Sequence, residues 1–377
     1  MNVIYFDNAA TTRPLGEVTA KHAEISENVY GNPASMHSLG LCAETAIFEA
    51  ARTIAGLLGV SAGELVFTSG GTESNNLAIF GAIGNRSSAN LNAVTTATGH
   101  PSAYECFKAL EKRGVRVKYL KTDKNGLIDT GELLNAVDGR TALVSVSQVC
   151  NETGAIQRVN EIGRAVKEKN DSTLFHADGV QAFGKIPTGL YDAQIDFYSF
   201  SAHKIHGLKG TGCLFIKNGR RVAPLFYGGG QQNNIRPGTE NAAGIAAFAA
   251  AAAAAYRDMG ARFNTAGLLR GVMLKLTERC GAVVNGDAEG SPYILNMSFL
   301  GYKGEVILNA LSEAGVCVST GSACGRRGKD NAVKRMGLGD ARAESAVRFS
   351  FSHLNTVDEA ERCVGMLEQI LKKIVRI

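Results

Sequence analysis

Apolar positions between Glu64 and Phe215 fall into short β-branched runs that alternate with helical patterns. "ELVFTS" precedes "TESNNLAIFGAI", "NAVTTAT" precedes "PSAYECFKALEKRG", "VRVKYL" follows, and "TALVSVSQV" precedes "VNEIGRAVKEKN". Repetition of strand and crossover helix predicts an α/β fold with a mainly parallel sheet flanked by helices. Three further runs, "STLFHAD", "IDFYSFS" and "TGCLFI", come without long helices between them and bring the sheet to seven strands, one of which is expected to run antiparallel near the site. After Gly228 the texture changes to "AAGIAAFAAAAAAAYRDM", a helix whose small side chains cost little entropy and allow close packing. Then "YILNMSF", "EVILNALSEAG", "VCVS", "AVRFSFS" and "VDEAERCVGMLEQILKKI" read as strand, helix, strand, strand, helix. The expected organisation is a large domain over 15–257 and a smaller α/β domain made of 1–14 and 258–377, with Pro14 marking a helix start.

Composition narrows the function classes. The 377 residues carry a net charge of +5 with 45% apolar positions, an ordinary globular balance. The positive charges are spread along the chain rather than gathered into a basic arm, which argues against nucleic acid and favours a small anionic ligand. No segment approaches the roughly 18 to 20 uninterrupted apolar residues of a membrane span, and the start "MNVIYFDNAATTRP" is not a secretory leader, so a soluble cytoplasmic protein is expected. Eight cysteines are scattered without a close C-x-x-C pair, against both a disulfide framework and a zinc site. Seven of them are expected to be buried small hydrophobes.

Three strand ends carry chemistry. In "FTSGGTESNNLAI" a strand runs into Gly70 and Gly71 before a helix at Thr72, a cradle for phosphate, although the same turn with a threonine cap also serves purely structural ends. In "FHADGVQAFGK" an apolar strand delivers Asp178, with Gln181 one turn on; a carboxylate so placed needs a cation such as a protonated ring nitrogen, or else caps the next turn. In "DFYSFSAHKIHGLKGTGCLFI" a strand runs into Ser201, His203 and Lys204, and an amine among such neighbours has its charged form disfavoured and is available for a Schiff base. Lys209, deeper in the glycine turn, reads as the solvent-facing lysine. Anion site, carboxylate and amine together are what a pyridoxal phosphate site requires, and His100 in "TATGHPSAYE" supplies a flat ring to cover the cofactor.

The chain resembles the cysteine desulfurases, in the class V aminotransferase group of fold-type I pyridoxal phosphate enzymes. The resemblance runs through "YFDNAATT", "GNPASMHSLG", "TSGGTESNN", "QVCNETGAIQ", "HADGVQAFGK", "SFSAHKIHGLKGTG", "GGGQQNNIRPGTEN", "STGSACG" and "VRFSF", essentially the whole chain. It implies that Lys204 is the cofactor lysine, Asp178 the pyridinium partner, His100 the stacking residue and Gln181 the donor to the phenolic oxygen. It further implies that Gly71, Thr72, Ser201 and His203 hold the phosphate. Thr239 matches a residue that reaches the neighbouring subunit's site, which implies a homodimer. Asn151 and Arg348 match the pair that holds the substrate carboxylate, for which a planar guanidinium is suited; taken alone, Arg348 would read as a surface arginine.

By the same resemblance Cys324 in "STGSACGRRGKDN" is the nucleophile that takes sulfur from L-cysteine as a persulfide, leaving L-alanine, for delivery to an acceptor protein in iron-sulfur cluster assembly or thiolation. Arg326, Arg327 and Lys329 beside it would favour the thiolate, or else form a solvated face. The segment departs from the housekeeping members, which carry small hydroxylated residues where this chain has Gly325-Arg326-Arg327, and His353 stands where the family often has arginine. Rival readings are a selenocysteine lyase or aminotransferase of the same fold, and a non-catalytic sulfur-relay or scaffold protein.

Overall fold

The central sheet has the strand order β2-β8-β7-β6-β5-β3-β4, built from β2 (Leu65–Thr68), β3 (Asn92–Thr96), β4 (Arg116–Leu120), β5 (Thr141–Ser147), β6 (Leu174–Asp178), β7 (Phe197–Ser201) and β8 (Gly212–Ile216). Only β8 runs against the others, between β2 and β7. The expectation of one reversed strand among the last three is therefore met. The structure, a computed structural model, describes residues 3–84, 90–321 and 331–376.

The sequence explains which strands lie inside. β6 and β7 are buried at every position because helices cover both faces of the sheet, which is why they read as apolar runs rather than alternations. β4 at the edge instead alternates exposed Arg116 and Lys118 with partly covered Val117 and Tyr119.

Helices α1 (Gly16–Asn28), α2 (Ser38–Leu58), α3 (Gly71–Ile83), α4 (Pro101–Lys112), α5 (Thr130–Ala136), α6 (Val159–Lys169) and α7 (Ala242–Arg257) surround this sheet. The alanine-rich α7 packs closely on α1 and α2, and its alanines 247, 251, 252 and 254 are fully buried. At Asp258 the axis breaks and α8 (Met259–Cys280) begins.

A second hydrophobic core lies around a three-stranded antiparallel sheet of β9 (Val283–Asn285), β10 (Ile294–Ser298) and β12 (Ala346–Ser350), in the order β12-β10-β9. It includes Leu276, Met297, Phe349 and Leu367, and is closed by α8, α9 (Gly304–Glu313) and α12 (Val357–Lys373). The short helices α10 (Ala332–Arg335) and α11 (Asp340–Glu344) lie between. The chain's start joins this core: β1 (Ile4–Tyr5) pairs in parallel with β11 (Val316–Cys317), Phe6 is fully buried there, and Ser350 N donates to Phe6 O at 2.7 Å. Among the described residues no helix is long and apolar enough to cross a membrane.

Two expectations need correction. Thr72 does not cap α3; Gly70 does, at the tight exit from β2, and Thr72 is the second residue of the helix. Cys42 is exposed on α2 and Cys280 and Cys317 are only partly covered, so four of the seven described cysteines, Cys106, Cys150, Cys213 and Cys363, are buried packing residues.

Candidate active site

The parallel strands all end at one edge of the central sheet, the edge where open α/β folds bind ligands. There the chain brings together Gly71, Thr72, His100, Ser147, Asn151, Asp178, Gln181, His203, Lys204 and Arg348 around one cavity of about 200 Å³. Nine of these ten were expected from sequence; Ser147, at the end of β5, was not. Ser201 is buried at the end of β7, its hydroxyl turned to Thr211 O at 3.4 Å, and does not line the cavity. Thr239 is exposed and stands outside it. Cys324, Arg326, Arg327 and Lys329 lie outside the described residues.

Asp178 ends β6. Its Oδ2 accepts from Asn75 Nδ2 at 2.9 Å and its Oδ1 from Val180 N at 3.1 Å. The second bond is the turn cap considered from sequence; both partners are neutral, so the carboxylate keeps its charge uncompensated by them. A Cβ on Gly179, the next residue, would run into the Tyr198 ring, so only glycine lets the chain turn there. Asn75, from α3, was missed in the sequence because its partner lies 103 residues away.

His100 caps α4: its Nδ1 accepts from Ser102 N at 3.1 Å and stands 2.7 Å from Ser102 Oγ, which in turn accepts from Asn75 Nδ2 at 2.8 Å. Burial lowers the imidazole pKa, with Lys204 and Arg348 adding to it against the pull of Asp178. The ring is thus locked in orientation and kept neutral. Burial and then Lys204 likewise push His203 down to about 3, and its Nδ1 lies 3.1 Å from Thr11 Oγ1.

Lys204 follows β7 in a short 3-10 turn, and its Nζ donates to the carbonyls of Ala9 and Ala10, each at 2.7 Å. The N-terminal segment therefore forms one wall of the site. Gln181 Nε2 also donates to Ala9 O, at 2.8 Å. Lys209 is exposed, as expected.

Arg348 overturns the surface reading for that residue alone: it is 1% exposed, in the middle of β12. Its guanidinium donates to Asn151 O at 2.9 Å and pairs with Asp7 Oδ1 at 2.7 Å, while Nε is buried with no hydrogen-bond partner among the described residues. Asn151 thus presents its carbonyl to Arg348. Asp7, lying in "YFDNAATT", carried no separate signal in the sequence.

Against known proteins, the class V aminotransferase family model matches residues 4–363. A NifS/IcsS protein homolog of Lactobacillus delbrueckii is 36% identical over all of this chain and 99% of its own length. The cysteine desulfurase IscS of Dictyoglomus turgidum is 35% identical over 98% of this chain and 95% of its own. A solved NifS-like protein superposes with a TM-score of 0.94 at 35% identity, covering 99% of this chain and 100% of that one. A structure of SspA in complex with cysteine gives 0.83 at 28% identity over 92% of this chain and 98% of the other.

Proposed function

The chain belongs to the class V aminotransferase family and, within it, to the cysteine desulfurases, and from that premise we propose how its residues divide the work. The observation that carries the reading is the meeting of Asp178, His100, Lys204 and Arg348 around one cavity. The donor set fits pyridoxal 5'-phosphate: a buried carboxylate with neutral partners for the ring nitrogen, a neutral imidazole for the ring face, an amine for the aldehyde, and the opening turn of α3 for the phosphate. When bound, that group supplies an electron sink that loosens first the substrate's Cα proton and then its Cβ–sulfur bond.

The chain's own residues do the rest. Asp178 would stabilise a protonated ring nitrogen, and the neutral His100 would cover the ring face. Gly71, Thr72 and His203 would hold the phosphate from the cavity wall, and Ser201 would join them by turning its hydroxyl away from Thr211 O. Arg348 binds the carboxylate of L-cysteine, using Asn151 and Asp7 to fix its plane. The Lys204 amine moves the Cα proton. Cys324, as thiolate, attacks the substrate sulfur; the new S–S bond forms as the Cβ–S bond breaks, so that Cys324 ends as a persulfide and the substrate carbon skeleton, once protonated at Cβ, leaves as L-alanine. The persulfide then passes to an acceptor protein serving iron-sulfur cluster assembly or thiolation.

The proposed organisation is a cofactor-binding domain over 15–257 and a smaller one of 1–14 and 258–377 that carries Cys324, in a cytoplasmic homodimer in which Thr239 reaches the partner's site. The decisive experiment incubates the purified protein, loaded with pyridoxal phosphate, with L-cysteine, measures alanine, and maps the persulfide by mass spectrometry. Equimolar alanine and a persulfide on Cys324 are expected. A keto acid product, or undiminished desulfuration by Cys324→Ala, would overturn the assignment.

A further inference from the structure

Lys204 also lines a second, smaller cavity of about 20 Å³, room for one water molecule. Lys185, His206, Arg262, Tyr293 and His353 line it too, and among the described residues no carboxylate does. Lys185 is the unexpected member. It is buried, no ion pair of its own is formed among the described residues, and a methionine would fill its volume without the cost of desolvating an amine.

Among the described residues, the side-chain hydrogen bond that Lys185 forms leads to the candidate site. Lys185 stands four residues after Gln181 in the turn that follows β6, and Lys185 Nζ donates to Gln181 Oε1 at 3.0 Å. The other end of that amide, Nε2, donates to Ala9 O at 2.8 Å, the same carbonyl that accepts from Lys204 Nζ at 2.7 Å. A carbonyl has two lone pairs, so Ala9 O is saturated. The second N–H of Gln181 is left for the cavity that Gln181 lines.

We propose that Lys185 is a positioning residue: its amine anchors Gln181 Oε1, fixes which way the amide faces, and polarises Nε2 into a stronger donor toward the cavity. The inference rests on the pyridoxal phosphate reading, in which that donor meets the cofactor's phenolic oxygen. A cation bonded to the amide oxygen strengthens the N–H donors at the far side of the same group. It thereby favours a negatively charged acceptor.

The surroundings make this contribution pH-dependent. Burial, then Lys204 and Arg348, push the Lys185 amine down to about 7. The groups facing it are Gln181 on its own turn, Lys204 after β7, Arg348 on β12, Arg262 on α8, the Tyr293 ring with its centroid 5.6 Å from Nζ, and the two histidines. His206 and His353 are held neutral, lowered by burial to about 3 and about 4. With the folded pKa depressed, Lys185 is charged below about pH 7 and neutral above it, so polarisation of Gln181 fades as pH rises through neutrality.

The test is a pH titration of the holoenzyme's visible absorbance, with cofactor affinity measured separately by adding pyridoxal phosphate to dialysed protein. Lys185→Met is expected to raise the midpoint of the absorbance transition by about one pH unit and to weaken cofactor binding roughly tenfold. Lys185→Gln, which keeps a donor but no charge, is expected to recover the affinity while retaining the raised midpoint, and it carries the test if the methionine variant does not fold. In a Gln181→Leu background, Lys185→Met is expected to add no further shift. Superimposable titrations of wild type and both variants, or an equal shift in the Gln181→Leu background, would overturn the proposal. A wild-type protein that develops no visible band overturns the cofactor reading and this inference together, whereas a normal wild-type band with unmoved variants overturns this inference alone.

Discussion

Two buried aspartates stand at opposite ends of neighbouring strands and are treated in opposite ways. Asp196, just before β7, is fully buried and clamped by Lys167 Nζ at 2.6 Å and Arg220 Nε at 2.7 Å, with Phe175 N donating at 2.8 Å. Asp178, at the far end of β6, has among the described residues the neutral donors Asn75 and Val180. One carboxylate is neutralised inside the protein, and the other is held in place with its charge unspent. The difference separates an end of the sheet built for stability from an end built for chemistry, since removing a partner from a buried ion pair costs stability while an uncompensated buried charge is itself a cost that only a ligand relieves.

The sharpest way to test that division is to exchange what each end is asked to lose. Lys204→Ala is expected to lower alanine formation by roughly 10⁴-fold or more, because the proposed function gives this residue both the cofactor amine and the proton transfer, with little change in melting temperature. Asp196→Asn is the mirror image: it is expected to destabilise the fold by about 3–5 kcal/mol in denaturant titration while leaving kcat per folded molecule near wild type. Were Asp196→Asn to damage turnover in the folded fraction, the two ends would not be separable.

Smaller effects refine the comparison. Asp178→Asn keeps the bond to Val180 but removes the charge, and is expected to reduce kcat/KM by roughly 10²-fold with the fold retained; a loss of stability instead would make Asp178 a turn cap first. Acid tests the sheet between the two ends. Burial lowers His176, in mid-strand, to about 4 and His206 to about 3. Both stay neutral in the fold but take up protons when unfolded near pH 6.5. Stability is therefore complete above about pH 6.5 and falls as pH drops toward the folded values, by on the order of 1 kcal/mol for each at pH 5.5. Denaturant midpoints at pH 7.5 and 5.5 measure it.

What the sequence disclosed follows from the same physics. The strands of the central sheet were legible because burial on both faces leaves uninterrupted apolar runs, and glycine, aspartate and lysine at their ends stood out against that background. Helices α2, α5 and α8 were not singled out. α8 packs only one buried residue per turn or fewer, Arg262, Ala266, Leu269, Met273 and Leu276, with glycines and threonines interspersed, so its periodicity is faint. The pairing of Asp7 with Arg348 spans 341 residues, and nothing local announces it. The cap at Gly70 was misplaced onto Thr72 because threonine is the commoner capping residue, whereas here the backbone itself makes the turn. The partners that orient the site residues, Asn75, Ser102 and Ala9, come from distant turns and became visible only in three dimensions.

The wall formed by Ala9 and Ala10 ties the candidate site to parts of the sequence far from it. Ala9 and Ala10, whose carbonyls hold Lys204, follow Phe6 and Asp7, and those two are pinned by Cys317, Arg348 and Ser350, the Asp7–Arg348 pair spanning 341 residues. A folding chain in which Asp178, His100 and Lys204 are already together still lacks that wall until β12 docks on Phe6 and Asp7. Assembly of the site therefore waits on a contact of high sequence separation, and a variant without β12 carries the lysine without the framework that holds it.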